Sequence, residues 1–141
     1  MDEISNWSRA LWTGLGLMLV GPFLAGLGIM TAVGLAPILQ LEPLMPVGLP
    51  NAGIAAVFAF VWAAIPCAIA ALVLVPIVVR NGTMGALWAA AAGVLGFFIA
   101  AIFTEMPFRE QLPALAFLAA LVALGVRYSL LAGGILKPQV E

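Results

Sequence analysis

Hydrophobic positions fall into four long runs, and the segments between and on either side of them hold all but one of the charged residues. The runs cover residues 10–35, 52–79, 84–104 and 112–136, and the first three contain no charge. A helix needs about 20 apolar residues to cross the roughly 30 Å hydrocarbon core of a bilayer. Unpaired backbone groups are costly in lipid, so these runs predict helices rather than open strands. We therefore expect an all-α, polytopic integral membrane protein with four transmembrane helices.

The links between the runs are short, which predicts a single transmembrane domain over residues 1–141. Short links place consecutive helices antiparallel and side by side, so we expect an up-down four-helix bundle. The link 80–83 contains an Asn-Gly pair, which is typical of a tight turn. The link 37–51 is too apolar for an ordinary solvated loop. Either it lies along the membrane interface or against a partner, or it caps its own bundle.

Composition supports the membrane assignment and narrows the range of partners. Of the 141 residues, 65% are hydrophobic and 8% are charged, whereas an average soluble domain is roughly 25% charged. The formal net charge is −1, so there is no basic stripe on which nucleic-acid binding could rest. We expect the partners to be membrane lipids and other integral membrane subunits or copies of this chain, and no nucleic acid.

The distribution of Lys and Arg predicts how the helices are oriented. With the N-terminus in the cytoplasm, Arg9, Arg80 and Lys137 lie inside, Arg127 leans to the same side, and only Arg109 lies outside. An excess of cations on the cytoplasmic side is the usual rule for membrane proteins. We therefore expect an N-in/C-in arrangement, in a bacterial inner membrane. Aromatic residues that favour the interface would lie on the same side, namely Trp7, Trp12, Trp88 and Tyr128.

Small residues recur at helical spacing in the first three runs. In lipid, helices associate through close packing, and small residues let two backbones approach. Residues four apart share one helix face, so these positions predict helix-packing faces, either within the bundle or against a partner. The predicted packing residues are Gly14, Gly21, Gly28, Ala55, Ala59, Ala63, Cys67, Ala71, Gly85, Ala89, Gly93 and Gly96.

Arg127 is the one charge inside an apolar run. A charge near the bilayer centre costs at least about 2.5–3.5 kcal/mol on insertion scales. Arg127 therefore either extends to the inner headgroups beside Tyr128, or holds an anionic lipid, a substrate carboxylate or an acid of another subunit. We predict that Arg127 and Tyr128 anchor this end to lipid or to a partner.

Missing residue types exclude several kinds of chemistry. The chain has no histidine, which removes His-ligated haem or zinc and the Ser-His-Asp triad. Cys67 is the only cysteine, and a lone cysteine in an apolar run is typical of a small buried side chain. We therefore expect no catalytic residues, no metal site and no cofactor, and hence not an enzyme.

Two functional hypotheses fit these observations. The first is a non-catalytic integral membrane subunit that packs in or stabilises a larger membrane protein complex. The small-residue faces, the apolar first link and the scarcity of polar groups within the runs favour this hypothesis. The alternative is a small homo-oligomeric transporter or channel for an anionic or apolar solute. A water-filled path normally needs more polar lining than these helices offer.

Overall fold

The computed structural model describes residues 3–40, 51–104 and 112–139. Over these residues the chain is all-α and has no strands. It forms four helices, α1 (Asn6–Leu35), α2 (Ala52–Asn81), α3 (Ala86–Phe103) and α4 (Leu112–Ala132). Each helix is long and apolar enough to cross a membrane. The prediction of four helices of spanning length, all in an α-fold, is confirmed.

Side-chain caps explain where α1 and α2 begin. The Ser5 side chain accepts a hydrogen bond from the backbone N–H of Ser8, so α1 starts at Asn6, four residues before the predicted bound. The Asn51 side chain accepts from the backbone N–H of Ile54 in the same way at the start of α2. Ser and Asn are favoured at this position because they satisfy N–H groups that have no partner within the helix.

Glycines set the C-terminal ends of α2 and α4. Gly82 closes α2 in the left-handed conformation, with φ of 70°. The last helix ends at Ala132 rather than at 136, because Gly134 also takes a positive φ of 71°. The chain then turns back, and the N–H groups of Ile135 and Leu136 both donate to the Leu130 carbonyl. Glycine is the usual residue at such helix ends because it lacks a Cβ.

The helices form a closed ring in which α1 and α3 each pack against α2 and α4. Contacts at one end show their directions. The α2–α3 link at Gly82 lies beside Asn6 at the start of α1 and beside Lys137 after the end of α4. Consecutive helices therefore run in opposite directions. We call this end the cationic end, because Arg9, Arg80, Arg127 and Lys137 are at or near it.

The main hydrophobic core lies towards the cationic end. Leu17 of α1, Leu74 of α2 and Val126 of α4 are almost fully buried there together with Met84 of the α2–α3 link. Leu136, beyond the end of α4, is 2% exposed and joins the same cluster. This burial holds the segment after α4 against the bundle. A smaller cluster farther along the bundle contains Ala25, Ala63 and Val122.

Two segments discussed above lie outside the described residues. They are positions 41–50 of the apolar first link and the link between the third and fourth runs, which holds Glu105, Arg109 and Glu110. The described start of that first link, 36–40, forms a turn in which Ile38 is 74% exposed.

Candidate functional site

A cavity of about 500 Å³ opens at the cationic end between α1, α4 and the segment after α4. Three cationic side chains, those of Arg9, Arg127 and Lys137, line it. Leu131, Gly134, Leu136, Pro138 and Gln139 complete the lining. We call it the cationic cavity. Its volume lies within the range of roughly 300–1,000 Å³ that is common for small-ligand sites.

Arg9 enters the cavity from the first turn of α1. Arg9 is only 7% exposed, and its Nε donates to the Ile4 carbonyl at 3.1 Å. Its Nη1 donates to the carbonyl of Ile135, on the segment after α4. Arg9 therefore joins the start of α1 to the end of the chain. These contacts satisfy part of the buried guanidinium, as a buried charge requires.

The sequence places Arg9 inward because it begins the buried stripe of α1. Arg9, Thr13, Leu17 and Gly21 follow at intervals of four and are all buried. The Thr13 hydroxyl donates to the Arg9 carbonyl at 2.8 Å and is itself fully buried. Residues four apart lie above one another on a helix, so the packing of Leu17 and Gly21 also turns Arg9 towards the bundle.

Arg127 reaches the cavity from the last turns of α4. It is partly buried, and its Nε donates to the Met84 carbonyl at 2.8 Å. Met84 belongs to the α2–α3 link and is 1% exposed. The side chain is thus fixed against protein backbone at one nitrogen. Arg127 therefore lines the cavity. Its neighbour Tyr128 is 73% exposed and does not line it.

Lys137 is held in place through its backbone. Its N–H donates to the Gly82 carbonyl at 3.1 Å, and its own carbonyl accepts from the Thr83 hydroxyl at 2.7 Å. Its side chain is exposed. The segment after α4 is therefore tied to both α1 and the α2–α3 link, and it forms one wall of the cavity.

The charges around the cavity are not balanced within the described part of the chain. Among the described residues, no acidic side chain lines the cavity. Glu3 is the only carboxylate side chain among the described residues, and it is exposed. Hydrogen bonds from Arg9 and Arg127 to backbone carbonyls satisfy N–H groups but leave each guanidinium charge in place. Such an arrangement can attract and orient an anion.

The predicted packing residues of α1 lie at contacts between helices. A Cβ built on Gly21 would lie 2.6 Å from the Cys67 sulfur of α2. One built on Gly28 would lie 2.8 Å from a methyl group of Leu118 in α4, and one on Gly14 would lie 3.4 Å from Val75. At Gly21 and Gly28 the neighbouring side chain would have to shift to admit an added carbon, whereas the contact at Gly14 is an ordinary van der Waals distance. Within this single chain, α1 therefore approaches α2 and α4 closely at its glycines.

The predicted packing residues of α2 and α3 also face neighbouring helices. A Cβ on Gly96 would lie 2.5 Å from the Pro66 carbonyl oxygen of α2, and one on Gly93 would lie 2.7 Å from the Ala119 carbonyl oxygen of α4. Gly85 is the N-cap of α3. Of the remaining predicted residues, Ala59 is half-buried. The others are buried, namely Ala55, Ala63, Cys67, Ala71 and Ala89.

Aromatic side chains surround the cationic end and point away from the bundle. Trp7 and Trp12 on α1 are 67% and 53% exposed, and Trp88 on α3 is 62% exposed. Tyr128 on α4 lies on the outer surface at the same end. Trp62, by contrast, is near the far end of α3, where its Nε1 donates to the Thr104 hydroxyl at 3.3 Å.

Sequence reasoning identified Arg127 but missed the grouping with Arg9 and Lys137. It treated Arg9 as a residue outside the first span, although α1 begins before it. Two signals could have revealed the group. The i, i+4 stripe from Arg9 to Gly21 marks an inward-facing arginine, and Gly133-Gly134 marks a turn that brings Lys137 back to the bundle.

Among the described residues, no three His, Cys, Asp or Glu side chains lie together in a way that could hold a metal ion. Comparisons with protein-family models, with curated proteins and with solved structures gave no match.

Proposed function

We propose that the chain is a four-span integral membrane protein whose cationic end faces the cytoplasm, in the inner membrane of a bacterium. Two observations support this orientation. The four cations Arg9, Arg80, Arg127 and Lys137 gather at one end, as expected for a cytoplasmic side. The same end carries outward-pointing tryptophans and a tyrosine, which prefer the boundary between lipid and water.

Within the membrane, the proposed role is that of a non-catalytic subunit that packs in or stabilises a larger membrane protein complex. The character of the bundle interior is the observation that carries this proposal. Among the described residues, the only buried polar side chains are those of Arg9 and Thr13, both near the cationic end. Beyond them the interior is apolar and closely packed. A path for water or ions needs polar lining through the whole bundle.

The outer surface supports the same role. Large apolar side chains point outward along every helix, including Leu72 of α2, Leu87 and Phe103 of α3 and Phe117 of α4. With the exception of Gly34, the glycines of α1 and α3 already lie against other helices of the same chain. A partner would therefore meet large side chains rather than the small-residue faces. Lipid and the apolar surface of another integral protein can both cover such side chains.

Extraction from the native membrane tests this proposal. An affinity-tagged chain at its natural expression level is solubilised in a mild uncharged detergent, run on a blue-native gel, and its bands are analysed by mass spectrometry. The expected result is a band well above the mass of one copy that contains a defined integral membrane partner. Migration as a lone monomer across several mild detergents contradicts the proposal.

The cationic cavity favours a second candidate, a small homo-oligomeric transporter for an anionic solute. The three cations that line the cavity could bind such a solute at the mouth of a path formed between copies. Liposomes that contain only this protein decide between the candidates. Uptake of labelled phosphate or of a small organic anion would favour transport. Absence of uptake, with a partner present in the native band, would favour the subunit role.

A further inference from the structure

We propose that the cationic cavity binds a phosphate group, carried either by the headgroup of an anionic lipid or by a free phosphate compound. The starting observation is charge. Arg9, Arg127 and Lys137 line one cavity, and no acidic residue lines it in the described part of the chain. Three like charges close together repel one another. A phosphate group between them would turn this repulsion into attraction.

The hydrogen-bond donors that remain on the two arginines suit phosphate. Arg127 donates to protein only from Nε, and Arg9 only from Nε and Nη1, among the bonds to described residues. The other guanidinium nitrogens of the two arginines bond to no described residue, and both arginines line the cavity. Guanidinium N–H groups form a planar fork that matches phosphate oxygens two at a time.

The site is held together before any ligand binds. The Met84 carbonyl fixes the Arg127 side chain, and the Ile4 and Ile135 carbonyls fix that of Arg9. The backbone of Lys137 is held by Gly82 and Thr83. Side chains that are ordered in advance lose less conformational entropy on binding. Helix α1, helix α4 and the segment after α4 therefore each bring one cation to the same cavity in the folded chain.

The walls and the location indicate a lipid as the first source to examine. Leu131, Leu136 and Pro138 line the cavity beside the cations, so a ligand can place a charged group and an apolar group there together. The exposed Trp7, Trp12 and Trp88 lie at the same end, and aromatic residues of this kind mark the headgroup level of a bilayer. Only this choice of source rests on the proposed membrane placement.

The test uses the full chain, purified and delipidated in an uncharged detergent. Native mass spectrometry measures its affinity for phosphatidylglycerol and for phosphatidylcholine. A second arm measures binding of inorganic phosphate by calorimetry at constant ionic strength. The variants are Arg127→Gln and Lys137→Gln, with Arg80→Gln as the matched control. Arg80 lies at the same end but does not line the cavity, and each substitution removes one cation.

Lys137→Gln keeps the test valid if Arg127→Gln disturbs folding, because Lys137 makes its contacts with Gly82 and Thr83 through backbone atoms. Each cavity variant should lower phosphatidylglycerol affinity by about 10-fold, as expected for losing a charged hydrogen bond. Arg80→Gln should change it less than about 2-fold, as expected for an exposed surface charge. Phosphatidylcholine, which has no net charge, should bind about 10-fold more weakly than phosphatidylglycerol.

The two arms separate the sources of the phosphate group. Binding of phosphatidylglycerol alone, with the expected variant pattern, assigns a lipid headgroup, whereas inorganic phosphate binding with the same pattern assigns a soluble ligand. The proposal is overturned if neither probe binds, if both cavity variants bind like the natural chain, or if Arg80→Gln weakens binding as much as they do. Migration as a monomer on the blue-native gel would contradict the subunit proposal but would not change the outcome of these binding measurements.

Discussion

The Nε of Arg127 in α4 donates a hydrogen bond to the Met84 carbonyl oxygen at 2.8 Å. This contact joins the end of the last helix to the link between α2 and α3, two parts of the chain 43 residues apart. Arg127, the one charge inside an apolar run, therefore makes a contact within the bundle and also lines the cationic cavity. The same residue can therefore stabilise the bundle and bind an anion.

Replacing Arg127 with methionine should lower the free energy of unfolding by about 1–3 kcal/mol, because the nearly buried Met84 carbonyl loses its donor. Methionine keeps an unbranched apolar stem of similar length, so the change mainly removes the hydrogen bond and the charge. Titration of detergent-solubilised protein with SDS, followed by tryptophan fluorescence, measures the effect.

Arg80→Met is the control for this prediction. Arg80 lies exposed in the last turn of α2, where a cation contributes at most about 1 kcal/mol through the helix dipole. Equal losses for the two variants would show that the contact between Arg127 and Met84 adds nothing specific to stability.

Gly96→Ala should destabilise the bundle by about 1–3 kcal/mol, the usual cost of overpacking. The added methyl would lie 2.5 Å from the Pro66 carbonyl oxygen, so α3 would have to move away from the α2 backbone. Gly34→Ala is the control, because no atom of the described residues lies within 4 Å of a Cβ at that position in α1. There alanine should be neutral or stabilise the helix by up to about 1 kcal/mol. A Gly96→Ala variant as stable as Gly34→Ala would contradict the close α2–α3 packing.

Gly134→Val should loosen the segment after α4. Gly134 has a φ of 71°, and a β-branched residue in this conformation costs on the order of 1–3 kcal/mol. Asparagine tolerates the conformation, so Gly134→Asn should be close to neutral. Limited proteolysis after residue 134 should be faster for the valine variant alone. Equal cleavage of the two variants would show that the turn does not hold the segment.

The sequence pattern was sufficient to predict the helices and their number. Long uncharged runs leave the backbone no other way to satisfy its hydrogen bonds in lipid, and the runs correspond closely to α1, α2 and α3. The predicted end of α4 was less accurate, since the helix ends at Ala132. The apolar run continues to Leu136, and hydrophobicity alone does not register that Gly134 has already turned the chain.

The cationic cavity was only partly predictable. Arg127 stands out because it interrupts an apolar run, and Arg9 and Lys137 were assigned to the same side of the membrane by charge counting. Their grouping depends on how α1 and α4 meet and on a turn that buries Leu136. These are tertiary contacts between residues more than 100 positions apart, such as Arg9 and Ile135. The stripe from Arg9 to Gly21 and the Gly133-Gly134 pair indicate an inward-facing arginine and a turn, but neither local pattern specifies which distant residue is contacted.

Cysteine labelling tests most directly whether the bundle spans a membrane with its cationic end in the cytoplasm. In a Cys67→Ala background, Asn81→Cys marks the cationic end and Ile38→Cys marks the opposite end, since both positions are exposed. A membrane-impermeant maleimide applied to intact inner-membrane spheroplasts should label Ile38→Cys at once and label Asn81→Cys only after permeabilisation. Labelling of Asn81→Cys in intact spheroplasts would contradict the proposed orientation, and immediate labelling of both positions would contradict the membrane-spanning arrangement itself.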